Sequence, residues 1–198
     1  VYVIVVVAFQ ASFQASFGVT IAMAADFPAD DALIPENIEI QASFEKGTGE
    51  PIGRIEILVG EDLGIQHNSD NGYWRKVNDP LYPDDTIITR ENSRLQFRLN
   101  DGSQIIMNPL TKMTLDLNLY DPDSQQRHSL IRMAQGKARY IVKKLIDFKQ
   151  SRFQVWTKTF IVGTRDSDFV IEATADRSIV TALEDTVLDI LSRVKIDA

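Results

Sequence analysis

The chain has 198 residues, 44% of them hydrophobic and 25% charged, enough for one domain with a buried core plus a terminal appendage, and too apolar for a disordered chain. Its formal net charge of −7 excludes an ordinary nucleic-acid binder, which needs a surplus of Lys and Arg on one face. It has no cysteine, which excludes disulfides, thiolate nucleophiles and Cys-ligated zinc.

Residues 1–25 carry no charge. The run Val1 to Phe9 has the length of a signal-peptide apolar region, and Ala22-Met23-Ala24 before Ala25-Asp26 has the small-x-small form of a cleavage site. A basic segment before it is missing and the chain starts at Val1, as expected of a fragment truncated inside a signal. A membrane anchor is the alternative, because the uncharged stretch is long enough to span a bilayer, although Gln10, Ser12, Gln14 and Ser16 interrupt it. Either reading puts the remainder outside the cytoplasm, in the periplasm or an equivalent compartment, as an exported protein with or without inner-membrane attachment, whereas a third reading, a buried core strand, leaves the end of the stretch unexplained. Residues 26–50 hold two prolines and a Gly-rich end and read as a linker, with one edge strand expected within Ile38–Phe44.

From residue 51 to 198 the pattern is that of one all-β domain of packed or coiled antiparallel sheets: short β-branched runs separated by turn residues. Ile52–Val59 is the first run. Asn68–Gly72 and Leu81–Asp85 read as loops. Leu95–Leu99 alternates apolar and polar, Asn100–Ser103 is a tight turn, and Gln104–Met107 returns as the partner strand. Met113–Leu119, Leu130–Met133, Ala138–Val142, Phe153–Thr157, Phe160–Val162 and Phe169–Ile171 continue the series, with Leu95, Phe97, Leu99, Ile106, Val155, Phe169 and Ile171 expected in the core. Lys143–Lys149 and Leu183–Val194 also fit helical spacing, and the second fits two short strands equally well.

Chemistry-bearing patterns are sparse. There is no Gly-rich phosphate loop and no G-x-S-x-G elbow, so no cofactor is expected and no catalytic residue is assigned. His67 and His128 are far apart and lack partners at metal-ligand spacing. Asp84-Asp85, Asp121/Asp123 and Glu184-Asp185 are the candidates for glycosidase carboxylates, but each lies in a turn-rich stretch where Asp serves the backbone. Asp121–Ser124 lacks the twelve-residue calcium-loop pattern. Lys137, Arg139, Lys143, Lys144 and Lys149 form a basic stretch that reads as a lysine-protected edge, with anionic lipid or nucleic acid as the alternative. Trp74, Tyr73 and Tyr82 are the candidates for a sugar-stacking platform, against a core or rim role.

The order of segments from about Gly53 to Leu191 resembles the FecR (ferric-citrate regulator) family. Ile52–Ile55 and Val59-Gly60 are similar to its opening strand and glycine, and Asp84-Asp85 stands where a Gly-Asp is usual. Asn92-Ser93 with Asp101-Gly102-Ser103 is similar to its central hairpin, and Gly136–Tyr140 to its Gly-x-Ala-Arg strand. The most specific stretch is Phe153–Phe169, in which Thr157, Gly163, Arg165, Asp168 and Phe169 match, while Lys158, Asp166 and Ser167 replace Pro, Gly and Thr.

The resemblance implies an all-β, cofactor-free and metal-free module of an exported regulator, with structural or interaction roles for Asp101, Gly102, Ser103, Gly136, Thr157, Gly163, Arg165, Asp168 and Phe169. Arg165 is expected to organise a turn by donating to backbone carbonyls or to Asp168. The implied partner is an envelope protein. The alternatives are the periplasmic part of a membrane-anchored anti-sigma regulator and a module that binds cell-wall glycan.

Overall fold

The computed structural model describes residues 2–7, 33–44, 49–65, 70–183 and 186–193; of residues 2–7 only the backbone is described. The junction after Ala24, His67, Asn68, Ser69 and the Glu184-Asp185 pair lie outside the described residues. The strands are β1 (Tyr2–Val7), β2 (Glu39–Gln41), β3 (Gly53–Val59), β4 (Asp62–Ile65), β5 (Asn71–Trp74), β6 (Pro80–Leu81), β7 (Thr86–Thr89), β8 (Arg94–Leu99), β9 (Gln104–Met107), β10 (Lys112–Asp121), β11 (Gln126–Val142), β12 (Gln150–Trp156), β13 (Phe160–Thr164), β14 (Ser167–Ala173), β15 (Arg177–Leu183) and β16 (Asp189–Ser192). Among the described residues there is no helix, and so none that could cross a membrane.

The strands form two sheets that share one member. Sheet A runs β6-β3-β8-β9-β11-β14-β15-β1. Sheet B runs β2-β5-β4-β7-β10-β11-β12-β13-β16. The sheets are mixed: β1–β15, β2–β5 and β11–β12 are parallel pairs and the others antiparallel.

The shared strand follows from its sequence. The sequence suggests two runs broken by Gly136, and the structure makes them one strand of 17 residues that bends there. Residues up to Gln135 pair with β10 and β12 in sheet B, and residues from Gly136 pair with β14 and β9 in sheet A. Gly136 has φ +102°, and a Cβ on it would lie 2.4 Å from Thr111 Cα. Both the backbone angle and the close approach require glycine.

Inward-facing residues of both sheets build the main core, which includes Phe97, Ile105, Met107, Tyr140, Phe153, Phe160 and Phe169. Tyr140 ties the sheets together: it stacks on Phe169 with ring centroids 5.1 Å apart, meets Phe153 edge-on at 6.4 Å, and its hydroxyl donates to Met133 Sδ at 3.3 Å. The expected inward residues are buried with one exception. Ile106 is half-buried, and its neighbours Ile105 and Met107 point inward instead. An apolar pair in a strand leaves the alternation ambiguous by one residue, and the turn at Asn100–Ser103 sets it.

A second, smaller core of Leu33, Leu63, Ile65 and Ile88 lies on the other side of sheet B, with Ile34, Ile38 and Leu110 packed against it. The stretch expected as a linker thus supplies packing residues, and Lys112 Nζ donates to the Leu33 carbonyl at 3.1 Å. The expected strand within Ile38–Phe44 is present as the short exposed β2. Of the expected Asn68–Gly72 turn, Asn71 and Gly72 instead begin β5. Lys143–Lys149 is a turn, and of Leu183–Val194 the described residues 183 and 186–193 contain the end of β15 and the short β16 and no helix.

Candidate interaction site

Most of the residues that carry the family resemblance hold the architecture together. Asp101 is buried; its Oδ1 accepts from Ser103 N and its Oδ2 from Ser103 Oγ, both at 2.9 Å, which closes the β8–β9 turn. Gly102 has φ +85° in that turn. Ser103 Oγ accepts from Lys143 N at 3.1 Å. Thr157 Oγ1 accepts from Phe160 N at 3.1 Å and donates to the Phe160 carbonyl at 3.1 Å, fixing the β12–β13 turn.

Arg127 is the hub of this end of the molecule. Its side chain is fully buried with that of Asp101, and Nη1 reaches Asp101 Oδ2 at 3.0 Å and the Lys143 carbonyl at 2.9 Å. Nη2 donates to Ser151 Oγ at 2.7 Å and to the Arg165 carbonyl. One guanidinium therefore ties the β8–β9 turn, the end of β11, β12 and the β13–β14 corner.

That arrangement corrects the expectation for Arg165. Its side chain is exposed and the corner is held through its carbonyl by Arg127, while Asp168 pairs with Arg139, Nε to Oδ1 at 2.8 Å. The sequence carried a signal for Arg127: it alternates with Ser129, Ile131 and Met133 on the inward face of β11, an unusual place for an unsatisfied cation.

The acidic pair Asp84-Asp85 is structural. Asp85 is buried, and its Oδ2 accepts from Arg75 Nη2 and from Tyr82 N, both at 3.0 Å. Asp84 has φ +64°, which accounts for the glycine usual at this position. Asp62 and Tyr73 adjoin Arg75. Asp62 is buried, neither carboxylate oxygen has a partner, and burial pushes its carboxyl well above the usual range while the Arg75 charge offsets part of that. Arg75 fits there because Gly64 leaves room: a Cβ on Gly64 would lie 2.1 Å from Arg75 Nε.

The three-ring platform is not formed. Tyr73 and Tyr82 are buried, and Trp74 alone reaches the surface, with the Arg90 guanidinium 5.8 Å from its ring centre. The basic stretch is largely neutralised: Lys137 pairs with Glu172, Arg139 with Asp168 and Lys144 with Asp166. Asp121 accepts from Ser124 Oγ and from the amides of Ser124 and Asp123, so its carboxylate serves the β10–β11 turn. Among the described residues no group of acidic or His side chains could hold a metal ion.

The outer face of sheet B is different in character. Across β11, β12, β13 and β16 the register aligns Leu130, Gln154, Gly163 and Asp189 in one row, and Arg132, Trp156, Ile161 and Leu191 in the next. Leu117 and Leu119 of β10 extend it as exposed side chains, and Leu191 is 64% exposed. This part of the sheet thus carries apolar side chains on its solvent side among polar ones such as Gln154, Asp189 and Arg132. A cleft of about 340 Å³ opens within it, lined by Arg152, Gly163, Arg165, Asp189 and Leu191 among others.

Gly163 is the signature glycine without a packing reason. A Cβ there would meet nothing closer than Asp189 at 3.8 Å, so the absent side chain serves the depth of the cleft. Of the family-signature residues, then, the structure gathers Gly163 and Arg165 in the cleft and buries Asp101, Ser103, Thr157 and Phe169 elsewhere. Arg152 and Leu191 belong to the cleft without having stood out in the sequence.

No curated protein matches the chain. Two crystal structures of a putative anti-sigma factor from Parabacteroides distasonis are similar to it at 20% identity and a TM-score of 0.37. Each match covers 54% of this chain and 50% of that one, so the chain spans about half the length of that protein. Residues 85–188, more than half of the chain, match the FecR protein family, and the chain belongs to that family.

Proposed function

We propose that this domain is a non-catalytic, exported module of envelope signalling that works by protein–protein contact through the outer face of sheet B. The observation that carries the reading is the division among the signature residues. Asp101, Ser103, Thr157 and Phe169 are buried, while Gly163 and Arg165 line an open cleft. Family membership supports a regulatory role, and the small-x-small site Ala22-Met23-Ala24 that follows the apolar run supports export, with β1 then belonging to the chain only before cleavage. The narrower form is the periplasmic part of an anti-sigma regulator, with an envelope protein as partner.

The test is a photocrosslinking residue placed at Leu191 in the full chain, expressed in its native host. The expected result is a discrete adduct with an envelope protein, absent when the probe replaces Arg54 on sheet A. Retention of the purified chain on murein or soluble glycan, with no protein adduct, overturns the reading.

A further inference from the structure

The register of β12, β13 and β16 fixes the chemistry of the segment that this face accepts. The β12–β13 ladder pairs Phe153 with Thr164, Gln154 with Gly163, Val155 with Val162 and Trp156 with Ile161. Arg152 and Arg165 lie one residue beyond its end, and both line the cleft. Among the described residues neither has an ion-pair partner. Moving along the outer face, the cleft therefore presents two arginines, then a floor at Gly163 between Gln154 and Asp189, then Ile161 and Leu191, with Trp156 beside Ile161 in the same apolar row but outside the cleft lining. Arg193 lies against the Trp156 ring at 5.5 Å and its Nη1 donates to the Thr157 carbonyl, which holds the indole at the far end.

Two residues of extended chain advance about 6.8 Å, so the arginines stand about 13 Å from the apolar row. An extended segment laid along β13 has the same repeat. Its side chains at positions i, i+2 and i+4 then meet the arginines, Gly163 and the apolar row in turn. We propose that the face binds an extended protein segment with an acidic side chain at one position, a small one two residues away and a large apolar one four residues away, in either chain direction. This rests on the interaction reading above and names the partner's chemistry.

Three features favour that occupant. Two unpaired guanidinium groups on a chain of net charge −7 select an anionic group at one place instead of attracting anions generally. Gly163 gives up strand stability and lets another backbone approach. Asp189, beside Gly163 in the register, repels an acidic side chain at the middle position, which separates this motif from a simple acidic run.

The experiment is panning of a random-peptide display library on the full chain, with the Arg152→Glu/Arg165→Glu double variant and Gly163→Val panned in parallel. Enrichment of Asp or Glu four positions from Leu, Ile, Phe or Trp, with acids depleted midway, is expected. Peptides resynthesised from that pool are expected to bind the double variant at least about tenfold more weakly, since each charged hydrogen bond is worth about a factor of ten or more. Equal denaturation midpoints of the three proteins establish that the variants are folded. No enrichment, a different spacing, or acidic runs enriched without an apolar residue overturns the proposal; the last result describes a polyanion surface. If the Leu191 probe still captures an envelope protein, the interaction reading stands while the proposed motif fails.

Discussion

Arg127 donates a hydrogen bond of 2.9 Å to the carbonyl of Lys143, sixteen residues further along the chain. A straight strand of that length would separate them by about 53 Å. The contact measures how far β11 folds back on itself at Gly136, and it shows why a buried guanidinium stands at that end of the strand. Asp101, Ser151 and the Arg165 carbonyl converge on the same group.

Arg127→Met should therefore destabilise the protein by about 3–5 kcal/mol, because it leaves the Asp101 carboxylate buried without its cation. Arg165→Ala should change stability by no more than about 0.5 kcal/mol, as for other exposed positions. Urea denaturation of both variants checks the pair; equal losses would return the turn-organising role to Arg165.

Asp62 sets a pH dependence. Its folded-state pKa lies well above the ordinary 3.8, so the native protein holds this proton more tightly than the unfolded chain. The contribution from Asp62 is most favourable below the unfolded pKa and declines as pH rises from there towards the folded value. Asp62→Asn should flatten that part of the profile and leave the protein at least as stable as the wild type at pH 8. Denaturation midpoints between pH 4 and 9 decide it, and parallel curves for the two proteins would sink the idea.

Asp84 occupies a left-handed backbone position at φ +64°. Asp84→Gly should raise stability by about 0.5–1 kcal/mol, and Asp84→Val should lower it by more, because a β-branched side chain is poorly tolerated there. The Asp84 amide donates to the Leu115 carbonyl in either case, so the comparison isolates the backbone angle. Thermal melts are sufficient; a loss of stability in the glycine variant contradicts the account.

Two of the three signature glycines should behave oppositely. Gly136→Ala meets Thr111 in the wrong backbone region and should cost at least about 2 kcal/mol. Gly163→Ala has room and should be neutral or stabilising by up to about 1 kcal/mol, through a less flexible unfolded chain. If Gly163→Ala unfolds the protein, the glycine is structural and the cleft loses its main support.

Much of the strand architecture could be read from the sequence because period-two alternation reports directly on which side is buried. Leu95, Phe97 and Leu99 obey it, and Asp101-Gly102-Ser103 sets the turn by local chemistry. Where two apolar residues adjoin, as at Ile105-Ile106, alternation has no phase and the assignment slipped by one. Arg165 differs because a conspicuous side chain in a motif suggests that the side chain organises the turn, whereas the corner is held through its carbonyl. The cleft was illegible for a different reason: Arg152, Gly163 and Leu191 meet through strand pairing, and pairing between distant segments leaves no mark on any one of them.

The membership of β11 in both sheets has a consequence for synthesis of the chain. Until Gly136–Val142 has emerged, the edge of β9 in the β3-β8-β9 group is uncovered, and until β14 follows, the far side of β11 in sheet A is bare. Sheet B gains its cover slightly earlier, when β12 and β13 line the near end of the same strand. The main core draws on residues from Ile52 to Val180, so the early strands cannot complete the burial of their apolar face until the late ones have been made.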